Sequence, residues 1–182
     1  MIPEFTPDGL LPPGDHDVTI EALRESVLVR GTGQRAWDPE WRLRLVDNLE
    51  RLVCQLWEVG IREVFADGSF VEDKAHPNDI DGYFVCSLED LASGRLQERL
   101  DRLDGDRVWT WDPDRRRPYR GYPKRQLPMW HKYRVELYPH VEGLGLTSGI
   151  IDHHGHELEF PAAFRRSRTD GRPRGILRIH HP

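Results

Sequence analysis

A chain of 182 residues with 37% hydrophobic and 31% charged content predicts one domain with small terminal additions; its six Trp, six Phe and five Tyr supply enough apolar area for a core. The sequence shows no N-terminal apolar segment and no run approaching the 18 or so apolar residues of a membrane span, so a soluble, cytoplasmic protein is expected. The net charge of -5 divides unevenly, with 12 Lys+Arg against 25 Asp+Glu in residues 1–114 and 14 against 6 in residues 115–182. That division fits an anionic ligand on the basic half with a metal or basic partner on the acidic half, and equally two halves that attract each other within one fold.

The Pro- and Gly-rich stretch "IPEFTPDGLLPPGDHDV" predicts an extended N-terminal arm over about the first 14 residues. A short helix should follow, capped by Asp17 or Thr19, with Ile20, Leu23 and Val27 on one face, and then a loop over "RGTGQRAW". "DPEWRLRLVDNLERLVCQLWEVG" is the clearest helix: Asp38 caps it, Pro39 takes its first position and Gly60 closes it. Its apolar stripe runs through Trp41, Leu45, Leu49, Leu52, Val53 and Leu56. Strands are expected at 61–66, 79–86, 107–111 and 133–139, with weaker ones in the last forty residues, the best of them at 175–180. One amphipathic helix, weakened by Gly94, is expected over "SLEDLASGRLQERLDRL", and a long loop over 112–132. Cys54 and Cys86 lie in apolar patterns without C-x-x-C spacing, which predicts buried thiols in a reducing compartment. The order of elements predicts an α+β fold with a small mixed sheet packed against helices.

The chemistry concentrates in "GSFVEDKAHPNDIDGYF", residues 68–84. On a strand, Asp79 and Asp81 point to one face, about 6–7 Å apart, and repel each other unless a cation lies between them. Their oxygens suit Mg²⁺ (or Mn²⁺), which shares carboxylates with substrate phosphates; paired ions can activate a hydroxyl and stabilise a leaving phosphate oxygen. Gly68 and Ser69 follow a strand, where successive N–H groups and a hydroxyl can form an anion-binding turn. Glu136 sits between Val135 and Leu137, where burying an unpaired acid is costly and a metal relieves the cost. The plain alternative is an acidic surface loop running into a buried strand.

The segment G-S-(nine residues)-D-I-D, with a carboxylate on a later strand, resembles the nucleotidyltransferase superfamily related to DNA polymerase β, whose small bacterial members are often called minimal nucleotidyltransferases. The resemblance covers about residues 40–140 and implies a nucleotidyltransferase-like core over 38–140. An N-terminal arm and short helix (1–37) precede that core, and a C-terminal extension (141–182) follows it. It implies that Gly68 and Ser69 grip the triphosphate of an NTP, that Asp79 and Asp81 bind Mg²⁺, and that Glu136 completes the metal set and helps activate an acceptor hydroxyl. Superfamily members often act on a partner protein or a tRNA end in toxin–antitoxin or defence systems, which makes a cognate toxin or antitoxin a further expected partner. Two positions depart from the superfamily pattern, Asp67 and Gly82, where apolar residues are usual; the third acid is Glu where Asp is commoner. The ends resemble a narrower group of short bacterial proteins through "GLLPPG-x-H" (Gly9–His16), "DGSF" and "G-x-P-x-G-I" (Gly171–Ile176), a likeness that carries no activity.

Other signals divide evenly. "RRRPYRGYPKR", residues 115–125, has six basic residues and no acid. It reads as a clamp on triphosphate or RNA, with Tyr119 or Tyr122 stacking on a base, or as a solvated loop. Lys74 can reach a phosphate or be an ordinary surface lysine. Asp67 can bind metal or acceptor, or cap the turn. "DHHGHE", residues 152–157, fits no zinc spacing and reads as an exposed turn; His131 and His140 flank the Glu136 strand. The expected function is Mg²⁺-dependent transfer of NMP from an NTP to a protein or RNA hydroxyl. Its rivals are a non-catalytic module that senses NTP or grips a partner on the same fold, and a metal-dependent phosphohydrolase.

Overall fold

In the computed structural model, which describes residues 2–33, 36–122, 124–145, 147–167 and 170–181, the chain begins with β1 (Gly14–Val18), α1 (Ile20–Arg24), α2 (Val27–Arg30) and the long α3 (Pro39–Glu58). β2 (Val64–Asp67) runs into a 3-10 turn (Gly68–Val71), and β3 (Ile80–Val85) follows. Next come α4 (Leu88–Ala92), α5 (Arg95–Leu103), α6 (Pro128–Tyr133) and β4 (Val135–His140). β5 (Thr147–Ile151), β6 (Glu157–Glu159), α7 (Phe160–Phe164) and β7 (Gly175–Ile179) complete the order. Residues 34 and 35 of the loop expected over 30–37, and residue 123 of the basic loop, lie outside the described residues.

Among the described residues, five strands form one mixed sheet in the order β1-β7-β2-β3-β4. β1 runs parallel to β7 and β3 parallel to β4, while β2 is antiparallel to both its neighbours. A mixed sheet with helices is the α+β class that the element order predicts. β5 and β6 form a separate antiparallel pair.

α3 starts as its residues dictate. Asp38 accepts a hydrogen bond from Trp41 N at 2.9 Å, and Pro39 takes the first position, where a missing N–H costs nothing. Leu45, Leu49, Leu52, Val53 and Leu56 are fully buried in one core with Val64, Ala66, Ile80, Phe84, Leu137 and Leu177 of the sheet. Each such side chain contributes about 1.5–3 kcal/mol relative to exposure, so this face anchors the domain. The opposite sheet face carries a smaller cluster of Phe65, Tyr83 and Ile176 with Phe164 of α7.

Several expectations are corrected. Residues 107–111 form no strand. Trp109 and Trp111 instead pack around Phe84, and the Trp111 indole donates to Leu137 O at 2.8 Å, capping the edge of β4 that a further strand would have occupied. The long loop over 112–132 contains most of α6, which begins on a proline and buries Met129, Trp130 and Tyr133. The helix expected over 87–103 is two, because Gly94 supplies neither helix propensity nor a side chain to bridge them. Thr19, not Asp17, caps α1, and Asp17 belongs to β1, whose charged D-H-D alternation conceals a strand. Val27 begins a separate helix, so the Ile20–Leu23–Val27 stripe is interrupted. Cys86 is buried but Cys54 is exposed, since it lies off the buried stripe of α3. No helix among the described residues is long and apolar enough to cross a membrane.

Candidate active site

β2 is apolar until its last residue, Asp67, and register does the rest. Asp67 lies opposite Asp81 of β3, and Asp81 opposite Glu136 of β4, so three acids form a row across three adjacent strands. The neighbouring row, Ala66, Gly82 and Leu137, points the other way, into the core beneath α3. Side chains on directly paired residues lie about 4.5–5.5 Å apart, and like charges at that distance are destabilising unless neutralised.

The two outer acids have cationic partners. Arg174 donates to Asp67 at 2.7 Å and also meets Glu72; Arg174 and Asp67 are both buried. Burial pushes the Asp67 carboxyl above its ordinary value, against the opposing pull of Arg174 and of the Gly68 N–H. Its Oδ1 is buried without a hydrogen-bond partner. Glu136 accepts from Leu127 N at 3.0 Å and from the Tyr138 hydroxyl, with Arg116 at 3.5 Å and Lys124 at 3.9 Å. Burial and the Glu136 charge raise the Tyr138 hydroxyl far above its ordinary value, so Tyr138 stays a donor.

Gly68 and Gly82 are where backbone geometry admits nothing larger. Gly68 has φ +82°, and a Cβ there would lie 2.7 Å from Asp81 Oδ2. A Cβ on Gly82 would overlap Phe65 O and lie 2.8 Å from Leu137 Cδ2, which explains glycine in a strand interior. Trp130 Nε1 donates to Asp79 Oδ2 at 2.6 Å, so α6 orients the acid that precedes β3.

The segment between the 3-10 turn and β3 has little regular structure, yet it is held from beneath. Arg42, wholly buried on α3, donates to Leu28 O at 2.6 Å, Phe70 O at 2.8 Å, Glu72 O at 3.1 Å and Lys74 O at 2.7 Å. Its guanidinium lies 3.9 Å from the Trp37 ring centroid. Burial pulls its pKa down to about 9, but four carbonyl acceptors and two aromatic faces keep the cation. Trp41 adds a hydrogen bond to Pro77 O at 2.6 Å and stacks on His76.

The structure brings Gly68, Ser69, Lys74, Asp79, Asp81 and Glu136 around one cavity of about 280 Å³. Glu72, Asn78, Lys124, Gln126 and Arg174 complete its wall. His131 and His140 are not among the lining residues: His131 lies beside Arg117 O, and His140 is buried edge-on to Tyr83. Residues 152–156 make the β5–β6 turn, where Asp152 accepts from His154 N and His156 N, and Glu157 begins β6. Of the lining residues, Arg174 escaped sequence reasoning, although it stands in the Gly171–Ile176 stretch directly before an apolar strand. Arg42 was legible in principle as a charge on the buried stripe of α3.

Among the described residues, no group of three or more His, Cys, Asp or Glu is placed to enclose a metal ion. Glu136 already has hydrogen-bond donors on both oxygens. The donor set facing the cavity is Asp79 and Asp81, with the Ser69 hydroxyl nearby. That set fits a hard cation such as Mg²⁺, which binds through one or two carboxylates and takes its remaining oxygens from water or phosphate. It does not fit zinc, which prefers nitrogen and sulfur.

The fold and site define an α+β domain whose mixed sheet carries a row of acids to the wall of a cavity rimmed by Lys and Arg. The chain belongs to the family described as "Family of unknown function (DUF6932)", whose model matches residues 3–180. No curated protein and no solved structure matches it.

Proposed function

We propose that the protein is a Mg²⁺-dependent nucleotidyltransferase that moves NMP from an NTP to a hydroxyl of a protein or RNA. The observation that carries this reading is the approach of Asp81 to the Gly68–Ser69 turn, so close that Gly68 has no room for a side chain. A turn able to take phosphate and a carboxylate able to take a cation thus share one wall. Asp79 and Asp81 would hold Mg²⁺, which would neutralise phosphate charge and lower the pKa of a hydroxyl beside it.

The chain's own residues supply position and charge. Gly68 and Ser69 receive the triphosphate, with Lys74 and Lys124 balancing its charge from the rim. The acceptor oxygen forms a bond to the α-phosphorus, the bond from that phosphorus to the bridging oxygen breaks, and pyrophosphate leaves with the electron pair. Glu136 takes the acceptor proton; a carboxylate offers about four lone-pair sites, of which Leu127 N and the Tyr138 hydroxyl occupy two and Arg116 approaches a third. Such a reaction rests on positioning and electrostatics, for which few groups suffice. The nucleotidyltransferase likeness of "GS-x9-DID" supports the reading. We extend it to a cytoplasmic protein acting with a cognate toxin or antitoxin, the setting in which proteins of that resemblance often work.

The engagement of Glu136 by Leu127 N, Tyr138 and Arg116 favours a second reading, a module that senses NTP without transferring it. Thermal unfolding with each of the four NTPs and Mg²⁺ separates the possibilities. A ligand at about 100 times its Kd adds about 2.7 kcal/mol, seen as a raised Tm. A nucleotide-selective, metal-dependent rise lost in Asp79→Ala/Asp81→Ala is expected. Absence of any rise sinks both readings. A rise without transfer of α-phosphate label to any acceptor leaves only the sensor, and phosphate release without acceptor points to a hydrolase.

A further inference from the structure

The row of acids across β2, β3 and β4 is not offered whole to a cation. Asp67 is wholly buried, does not line the cavity, and meets Arg174. Asp81, in the middle of the row, lines the cavity together with Asp79. A neutral indole N–H, that of Trp130, orients Asp79 without bringing positive charge to it. Glu136 also reaches the cavity wall, but its side chain is only 2% exposed and donors approach both of its oxygens. Oε1 accepts from Leu127 N at 3.0 Å and has Arg116 Nη1 at 3.5 Å. Oε2 accepts from the Tyr138 hydroxyl and has Lys124 Nζ at 3.9 Å. Four donors thus face the four or so lone-pair sites of one carboxylate, and two of the four are cations.

Arg116 is the fixed member of this pair of cations. It donates to the Tyr138 hydroxyl at 3.0 Å and to Arg125 O at 3.1 Å, and a guanidinium does not lose its charge at any ordinary pH. A divalent ion shared by Asp81 and Glu136 would have to displace a donor from Glu136. It would then lie beside positive charge in a partly buried place, where screening is weak. We propose that the site binds one divalent cation, on Asp79 and Asp81, and that Arg116 and Lys124 hold the place beside Glu136 that a second ion would take. This inference rests on the reading of Asp79 and Asp81 as a Mg²⁺ site, and it departs from the complete acid set that the nucleotidyltransferase resemblance implies. Glu136 then works without an ion of its own, its charge balanced by the protein. Arg116, which acts through Glu136, is a positioning residue.

The test counts ions. The full chain is titrated with Mn²⁺, an oxygen-seeking stand-in for Mg²⁺ whose free fraction is read by electron paramagnetic resonance. The titration is run alone and then with an analogue of each NTP in which a methylene replaces the bridging oxygen between the α- and β-phosphates, so that no transfer occurs. The ion bound by the analogue in solution is subtracted. Wild type should saturate at one ion per chain in both settings, and Asp79→Asn/Asp81→Asn should lose that ion. Arg116→Gln/Lys124→Gln should take up a second ion, and adding Glu136→Gln should return the count to one, a change that a merely structural role for the two cations would not produce. Where the double variant fails to fold, Lys124→Gln alone and the wild-type count carry the test. Two ions on wild type with any analogue overturn the inference and leave the transferase standing. A count that stays at one in the folded Arg116→Gln/Lys124→Gln protein overturns the role given to the two cations. Wild type that binds no more Mn²⁺ than Asp79→Asn/Asp81→Asn, with or without analogue, sinks the Mg²⁺ site itself and the inference with it.

Discussion

Arg174 and Asp67, 107 residues apart in sequence, meet at 2.7 Å in the interior, and neither side chain is more than 2% exposed. A buried pair of this kind gains little over an apolar pair of equal volume, because desolvation offsets the attraction, but half of it is costly. Arg174→Met should therefore destabilise the protein by roughly 3–5 kcal/mol. Asp67→Leu/Arg174→Met should recover most of that loss. Urea titrations of the single and double variants give the comparison; equal losses in both would show that the charges themselves, and not the orphaned partner, carry the energy.

Arg42 makes a second prediction. Arg42→Met keeps much of the apolar stem but leaves the carbonyls of Leu28, Phe70, Glu72 and Lys74 without their buried donor. Each unsatisfied buried group costs about 1–3 kcal/mol, moderated where water can enter. Amide exchange should quicken around residues 70–76 while the protected amides of α3 change only with global stability. Uniform acceleration across the sheet would refute a local clamp.

Gly68→Ala confronts two obstacles together, a left-handed φ and the proximity of Asp81 Oδ2. The backbone cost is about 1–2 kcal/mol. The larger expected effect is on the cavity, because Asp81 must move: nucleotide-dependent stabilisation should disappear while most of the wild-type Tm is kept. A variant that binds nucleotide as wild type does would remove Gly68 from the site.

Asp104, which does not line the cavity, provides a pH prediction. Burial alone would raise its pKa, but hydrogen bonds from Tyr133, Lys132 and Asp106 N outweigh it and hold the carboxyl below its ordinary value of 3.8. A carboxyl lowered in the folded state contributes stability that is complete above its unfolded pKa and is lost as pH falls through the folded one. Wild type should accordingly lose stability on acidification below about pH 4, more steeply than Asp104→Asn. Parallel acid limbs for the two proteins would contradict the assignment.

Long, strongly patterned segments were the legible part of this chain. α3, β2, β3, β4 and β7 follow from apolar periodicity with clear caps and turns, and Gly68, Ser69, Asp79, Asp81 and Glu136 stand out through the spacing of Gly68-Ser69 to Asp79 and Asp81 together with an acid between Val135 and Leu137, whereas Lys74 had no such signal. What escaped depends on distant partners. Residues 107–111 have strand-like alternation, yet indoles at Trp109 and Trp111 find hydrogen-bond acceptors through their side chains, a solution that a local pattern does not specify. β1 has the opposite character, charged along its length and recognisable only by its pairing with β7. Asp67 stood out as an acid in an apolar position, but its partner could not be named until strand order brought Arg174 to it.

The position of β7 between β1 and β2 has a consequence for biosynthesis. As the polypeptide leaves the ribosome, β2, β3 and β4 can pair with one another, but β1 has no neighbour in the sheet until Gly175–Ile179 has emerged. Until then Asp67 is also without its guanidinium, and its carboxylate must remain in contact with water. A nascent chain lacking this segment would have an open sheet edge at β2 and a cavity wall without Arg174, and one stretch, residues 174–179, completes both.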